Sequence, residues 1–156
     1  MIKVFDGEYA FLSNFYDSPF SWRGNEYPTV EHAFQATKTL NPKERLAIAS
    51  APTPGKAKRM GRKVSLRPDW EMVKEQVMYE CVNAKFRSST GLALALLATG
   101  EQELVEGTTG WCDNEWGNCE CPKCVDIEGK NKLGKILMRV RKELWEDLNK
   151  EMKINE

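Results

Sequence analysis

Two apolar stripes decide what this chain can fold into. Trp70, Val73, Val77, Cys81 and Ala84 recur at steps of three and four residues, and so do Leu133, Leu137, Val140, Leu144 and Leu148. That period belongs to one face of a helix and not to a strand, whose faces alternate every second residue. Extended pieces are short by comparison. Lys3-Val4-Phe5 opens the chain, Phe20-Ser21-Trp22 turns at Arg23-Gly24-Asn25 into Glu26-Tyr27 as a hairpin, and Leu104-Val105 suggests one more strand. The pattern predicts an α+β fold, mainly helical, with a few short strands.

Further helices are marked by their ends. Thr29 is placed to cap a helix running to Leu40, with Glu31 in its first turn, and Asn41 followed by Pro42 and Glu44 starts a second. Arg67-Pro68-Asp69 precedes the Trp70 helix. Thr90 to Ala98 reads as a buried apolar helix ended by Gly100, and Asn131 as the cap of the last helix. Between Gly107 and Gly129 lies a long turn-rich stretch. With 156 residues, no repeat and no low-complexity linker, one domain is expected over residues 1–150, with residues 151–156 a fraying tail. The apolar run Leu92–Ala98 is far short of the ~20 residues a membrane span requires, and no signal-like segment opens the sequence, so a cytoplasmic location is expected.

Charge narrows the function. The 23 Lys and Arg balance 23 Asp and Glu, which excludes a general polyanion-coating surface and makes any anion site local. Such a locality exists: from Arg45 to Pro68 there is no acidic residue, while Lys56, Lys58, Arg59, Arg62, Lys63 and Arg67 supply cations. They form either a solvated face or a phosphate site helped by the helix N-terminus after Thr53-Pro54-Gly55, with Arg62, beside Gly61, best suited to a bidentate contact.

Glu31, Gln35 and Lys38 stand at i, i+4 and i+7 on one helical face. The face is either solvent-exposed or a site in which Glu31 handles a proton and a partly desolvated Lys38 serves as cation or nucleophile. His32, on a neighbouring face, reads as a packed histidine. Farther on, Glu106 at a strand end and Asp113 in the following loop supply two acids, with Trp116, Phe15 or Trp70 available to stack a base. Paired acids suit cleavage of a glycosidic bond, in which one group manages the leaving base or the water and another stabilises the cationic sugar; surface acids are the alternative.

Five cysteines is an odd number, and four of them, Cys112, Cys119, Cys121 and Cys124, crowd into one segment. A secreted disulfide framework does not fit that count. Four neighbouring thiols could supply the sulfur set of a structural zinc, with free thiols or a redox pair as the alternative.

Taken in order, the motifs resemble the YbiA-like family, also called NADAR. The matching pieces are Phe11-Leu12-Ser13-Asn14-Phe15, Pro28 to His32 with Phe34-Gln35 and Lys38, Gly61-Arg62, and Trp70 with Val77-Met78 and Lys85-Phe86. They continue through Leu96–Gly100, Leu104-Val105-Glu106, Asp113 with Trp116-Gly117, and Gly129-Lys130-Asn131 with Leu133-Gly134 and Leu137-Met138. The resemblance implies a single YbiA-like domain and an N-glycosidase that hydrolyses a ribosyl C1–N bond. Its implied substrates are phosphorylated: riboflavin-pathway intermediates or ADP-ribose on guanine in DNA. Carried over, Glu31, Lys38, Glu106 and Asp113 are the expected catalytic residues, and Arg62 the phosphate contact. Asn14, Phe15, Trp70, Trp116, Gly117 and Asn131 complete the expected binding residues. No catalytic cofactor, membrane or protein partner is expected. The Cys-rich insertion between Gly117 and Gly129 departs from the simplest members. The competing reading is a non-catalytic module that binds ADP-ribose or a nucleotide.

Overall fold

The computed structural model describes residues 1–155. Its elements are mainly helical, with one two-stranded sheet among the described residues, as the α+β expectation requires. No described helix is long and apolar enough to cross a membrane. The chain groups into two compact units: a continuous one, Asn14–Ser88, and a discontinuous one built from Met1–Ser13 and the chain from Ser89 onward.

The continuous unit begins with the hairpin. Strands β1 (Phe20–Trp22) and β2 (Asn25–Tyr27) pair antiparallel, Phe20 opposite Tyr27. Arg23 and Gly24 both take positive φ, 49° and 81°, the two-residue turn whose twist matches the strands. Helix α1 (Val30–Thr37) follows, capped by the Thr29 hydroxyl, which accepts from the His32 N–H. All eight residues of α1 are buried, because α2 (Pro42–Ala49), α3 (Pro54–Gly61) and α4 (Trp70–Arg87) all pack on it. This helix therefore has no solvent face on which to place Glu31 and Gln35. Of its neighbours, α2 starts as expected, Asn41 accepting from Lys43 and Glu44, and α3 is capped by Thr53, which accepts from Lys56.

On α4 the predicted stripe is only part of the covered surface. Trp70, Val77 and Cys81 are buried and Val73 and Ala84 half-buried, while Met78, Val82, Lys85 and Phe86 widen the face. Trp70 packs against Phe34 of α1, ring centroids 5.0 Å apart.

In the discontinuous unit a 3-10 helix (Gly7–Leu12) follows the first residues, and Ile2 bridges Leu104 as a parallel pair, so the expected strand at 104–105 is reduced to a single bridge. Helix α5 (Thr90–Ala98) ends at Gly100 in the left-handed conformation, φ 65°. The expectation that α5 is buried fails. Only Leu96 is buried, and Leu94 is 58% exposed, because leucines occupying every side of so short a helix cannot all face one neighbour. The long α6 (Lys132–Ile154) buries Leu133, Leu137, Val140 and Leu144, each worth about 1.5–3 kcal/mol of transfer free energy, while Leu148 is half-buried. It continues into the stretch expected to fray; Glu156, the end of that stretch, lies outside the described residues.

Candidate active site

In the continuous unit, α1 brings a carboxylate, an amide and an amine together. Glu31 sits in the first turn, where the helix N-terminus favours negative charge, and its N–H donates to the Asn14 carbonyl at 3.1 Å. Gln35 Nε2 donates to Glu31 Oε1 at 2.8 Å, the contact that i, i+4 spacing provides. Both side chains are buried, Glu31 7% exposed and Gln35 4%.

Lys38 follows at the C-cap of α1. Burial lowers its pKa, the Glu31 carboxylate opposes that shift, and the cations of Arg62, Lys58 and Lys74 reinforce it. Those same groups define the neighbourhood chemically: one acid, one depressed amine and three surrounding cations. An amine in such surroundings is easier to deprotonate, which makes it a better nucleophile at neutral pH.

The helix carrying Arg62 reaches this position through Gly61. A Cβ there would strike the Gln35 side chain, so the missing side chain lets α3 close onto α1. Space at Gly61 is thus taken by Gln35, where sequence reasoning reserved it for a ligand. Arg62 itself is exposed at the C-cap of α3, clear of the helix N-terminus that Thr53 already caps.

The remaining expected residues of this unit divide. Asn14 is buried and its Nδ2 donates to Met78 Sδ at 3.5 Å. Phe15 is 44% exposed, whereas Trp70 is buried against Phe34 and is part of the core. His32 is structural: its Nε2 must carry a proton to bond the Ala51 carbonyl at 3.0 Å, and Nδ1 pairs with the Thr29 hydroxyl at 2.8 Å.

One buried ionisable residue was not singled out from the sequence. Lys85, on α4 one turn after Cys81 and two turns after Met78, is 1% exposed, and burial brings its pKa down to about 7. Its ammonium lies 5.5 Å from the Tyr16 ring centre and 5.0 Å from that of Phe86. The sequence signal was a lysine standing at stripe spacing from Cys81, where an apolar residue is normal.

In the discontinuous unit the expected residues gather around the loop between Gly107 and Gly129. Asn131 precedes α6 in the left-handed conformation and makes no cap bond. Its amide instead ties the loop to the bridge strand, Nδ2 donating to the Leu104 carbonyl at 2.9 Å and Oδ1 accepting from the Glu106 N–H at 3.0 Å. Gly134 leaves room for this arrangement: a Cβ there would meet the Leu104 carbonyl and the Asn131 amide. Asp113 Oδ1 accepts from the N–H groups of Glu115 and Trp116 at 2.9 and 3.0 Å, which makes it the organiser of a turn. Trp116 lies under Lys132 Nζ at 5.9 Å, and Lys132 also pairs with Glu115 at 2.9 Å. Gly117 presses against the Glu106 carbonyl and Thr108, where no Cβ fits.

The four clustered cysteines also converge, their Sγ atoms all within 4.8 Å of one another, so this group could hold a metal ion. Cys81 is separate, buried in the other unit, where burial pushes its thiol pKa up.

Comparison with known proteins identifies the family. The NADAR domain model matches residues 3–145. The chain is 44% identical over 139 residues to N-glycosidase YbiA of Shigella flexneri serotype 5b, covering 88% of this chain and 82% of that protein. N-glycosidase Npun_R5314 of Nostoc punctiforme is 38% identical over 141 residues, covering 87% and 86%. Riboflavin biosynthesis protein VVA0006 of Vibrio vulnificus is 36% identical over 143 residues, 90% of this chain but 37% of that protein. The NMR structure of YbiA from E. coli superimposes with a TM-score of 0.81 at 40% identity, covering 94% of this chain and 86% of that one. The chain belongs to the NADAR domain family.

Proposed function

We propose that this chain is an N-glycosidase that hydrolyses the ribosyl C1–N bond of a phosphorylated N-riboside. The observation that carries the reading is the buried Glu31, held by Gln35, in the electrostatic neighbourhood of Lys38 and the cations Arg62, Lys58 and Lys74. The names of relatives support it, being N-glycosidases and riboflavin biosynthesis proteins.

As the C1–N bond lengthens, its electron pair goes to the departing nitrogen and the sugar becomes cation-like at C1. A carboxylate stabilises that charge and takes a proton from the attacking water, whose oxygen bonds C1, and that proton ends on the departing nitrogen. Glu31 is assigned this role, and Arg62 with its basic neighbours holds phosphate. Lys38 either anchors the substrate electrostatically or, as the neutral amine, attacks C1 through Nζ as the base departs; the C1–ring-oxygen bond then opens to leave an imine, which water hydrolyses to free Nζ and the sugar. Glu106 stays a candidate acid on the family resemblance, and Asp113 acts by shaping the turn that carries Trp116. Water is the only co-reactant in this scheme, so no catalytic cofactor is called for. Ribosylaminopyrimidine phosphate is the first substrate to test, with ADP-ribosylated guanine in DNA as the second.

Freed base, followed by mass spectrometry, tests the reading on both substrates. Glu31→Gln is expected to lower kcat by about 10²–10⁴-fold, the usual scale for losing a general acid or base, while ligand affinity changes little. Release of base from neither substrate by folded wild type, with tight binding retained, would instead establish a binding module. Borohydride separates the two roles of Lys38: a trapped adduct on wild type supports attack at C1, and its absence alongside an inactive Lys38→Met leaves only the electrostatic role.

A further inference from the structure

We propose that Cys112, Cys119, Cys121 and Cys124 form a tetrathiolate site for one structural zinc ion, which fixes the loop segment from Asp113 to Gly117.

The geometry is that of a tetrahedral sulfur cage. Zinc–sulfur bonds of about 2.3 Å in a tetrahedron place the sulfurs about 3.8 Å apart. Here Cys112 Sγ stands 3.5 Å from Cys121 Sγ and 3.6 Å from Cys119 Sγ, and all four sulfurs lie within 4.8 Å of one another. All are free thiols.

Three surrounding features fit a metal-bound set of thiolates. The Cys121 N–H points at Cys119 Sγ at 3.4 Å, a donor suited to a metal-bound thiolate. Asn114 accepts from the Cys119 N–H at 2.9 Å and also hydrogen-bonds the Cys124 thiol, the outer-shell arrangement that orients ligands. Cys112 holds a left-handed φ of 53°, strained for a residue with a Cβ and sustained when another interaction requires it. A soft, all-sulfur tetrahedral set selects zinc over harder divalent ions.

The consequence lies in the chain order. Cys112 and Cys119 bracket Asp113 to Gly117, so one ion would clamp both ends of the segment that presents Glu115 and Trp116. The stretch from Gly107 to Gly129 buries few large apolar side chains, and a metal supplies the ordering that packing does not.

The full chain, purified under reducing conditions without chelator, is expected to carry about one zinc, as the single four-sulfur site requires. After zinc removal, Co²⁺ added to the reduced protein should give the sulfur-to-metal charge-transfer and visible bands of a tetrahedral tetrathiolate. Cys119→Ser or Cys124→Ser should weaken zinc by more than about 100-fold, Asn114→Ala by about 10–100-fold, and Cys81→Ser not at all. A reduced wild-type protein that contains no zinc and takes up none on titration overturns the proposal. So does a disulfide among the four in protein never exposed to oxidant, or an equal loss in Cys81→Ser. Should the cysteine variants not fold, wild-type stoichiometry and the cobalt spectrum decide alone.

Discussion

The two units hold their polar residues by opposite means. Among the described residues, every buried carboxylate, imidazole and ammonium lies in the continuous unit: Glu31, His32 and Lys85. The buried polar side chains of the discontinuous unit, apart from its thiols, are neutral: Thr99, Thr108 and Asn131. In the first, packed helices hold ionisable groups out of water, where environment can tune them. In the second, a loop with little apolar packing is held by backbone and amide hydrogen bonds, turns and thiols. Burial provides chemistry, and hydrogen bonding to irregular backbone provides shape.

The largest effect that would sharpen this contrast is on the pH dependence of stability. Lys85 titrates at about 7 in the folded protein against an ordinary 10.5. Between those values the unfolded chain binds the extra proton, so the Lys85 contribution makes the folded state progressively more stable as pH rises through the window. Below pH 7 the full penalty of charging the buried amine is present. Lys85→Met should therefore remove a slope of up to about 1.4 kcal/mol per pH unit across this window. Urea unfolding of both proteins at intervals from pH 6 to about 10 reads the difference, and parallel curves would refute it. The comparison between proteins matters because burial raises Tyr27 and Cys81, so both lose their protons more readily in the unfolded chain, an alkaline slope that the two proteins share.

Glycine substitutions probe the same contrast at about 1–3 kcal/mol. A Cβ on Gly61 meets first the amide end of Gln35, which has rotamers to yield, whereas one on Gly117 meets the Glu106 carbonyl and the Thr108 methyl. Backbone cannot move without disturbing the Asn118 N–H bond to that same carbonyl, 2.8 Å long. Gly117→Ala should accordingly destabilise more than Gly61→Ala, by about 1 kcal/mol or more, in denaturant unfolding. The reverse order would mean that the helix contact, and not the loop, is the stiffer structure.

How much of this was legible in the sequence follows the same division. Helix starts were readable because caps act locally: Thr29 and Asn41 both accept the bonds their positions suggested. The i, i+4 contact of Glu31 and Gln35 was equally a matter of spacing. That their face is buried was not readable, since it depends on three helices closing over α1. The apolar run of α5 misled for the same reason, because composition does not reveal whether a neighbour exists. Lys85, quoted only within a family motif, was not read as buried because a lysine at a core position is costly enough to be rare. In the loop, spacing pointed to a sulfur cluster, but the turn-building roles of Asp113 and Asn131 depend on partners fixed by the fold.

The smallest effect contrasts two asparagines that precede helices and do different things. Asn41 accepts from the Lys43 and Glu44 N–H groups in an exposed first turn, and Asn41→Ala should cost about 1 kcal/mol, the usual value for a lost cap. Asn131 makes no cap bond; it spans 27 residues back to the Leu104 carbonyl and 25 to the Glu106 N–H, and its residue is buried. Removing its amide strips partners from two backbone groups, and an unsatisfied buried polar group costs about 1–3 kcal/mol. Asn131→Ala should therefore exceed Asn41→Ala by about 1 kcal/mol or more in urea unfolding, and hydrogen exchange should quicken at Glu106 and not only at the start of α6. Equal costs, with exchange changing only in the first turn of α6, would show that Asn131 acts as an ordinary cap, and the loop would then owe its order to the backbone ladder and the thiols.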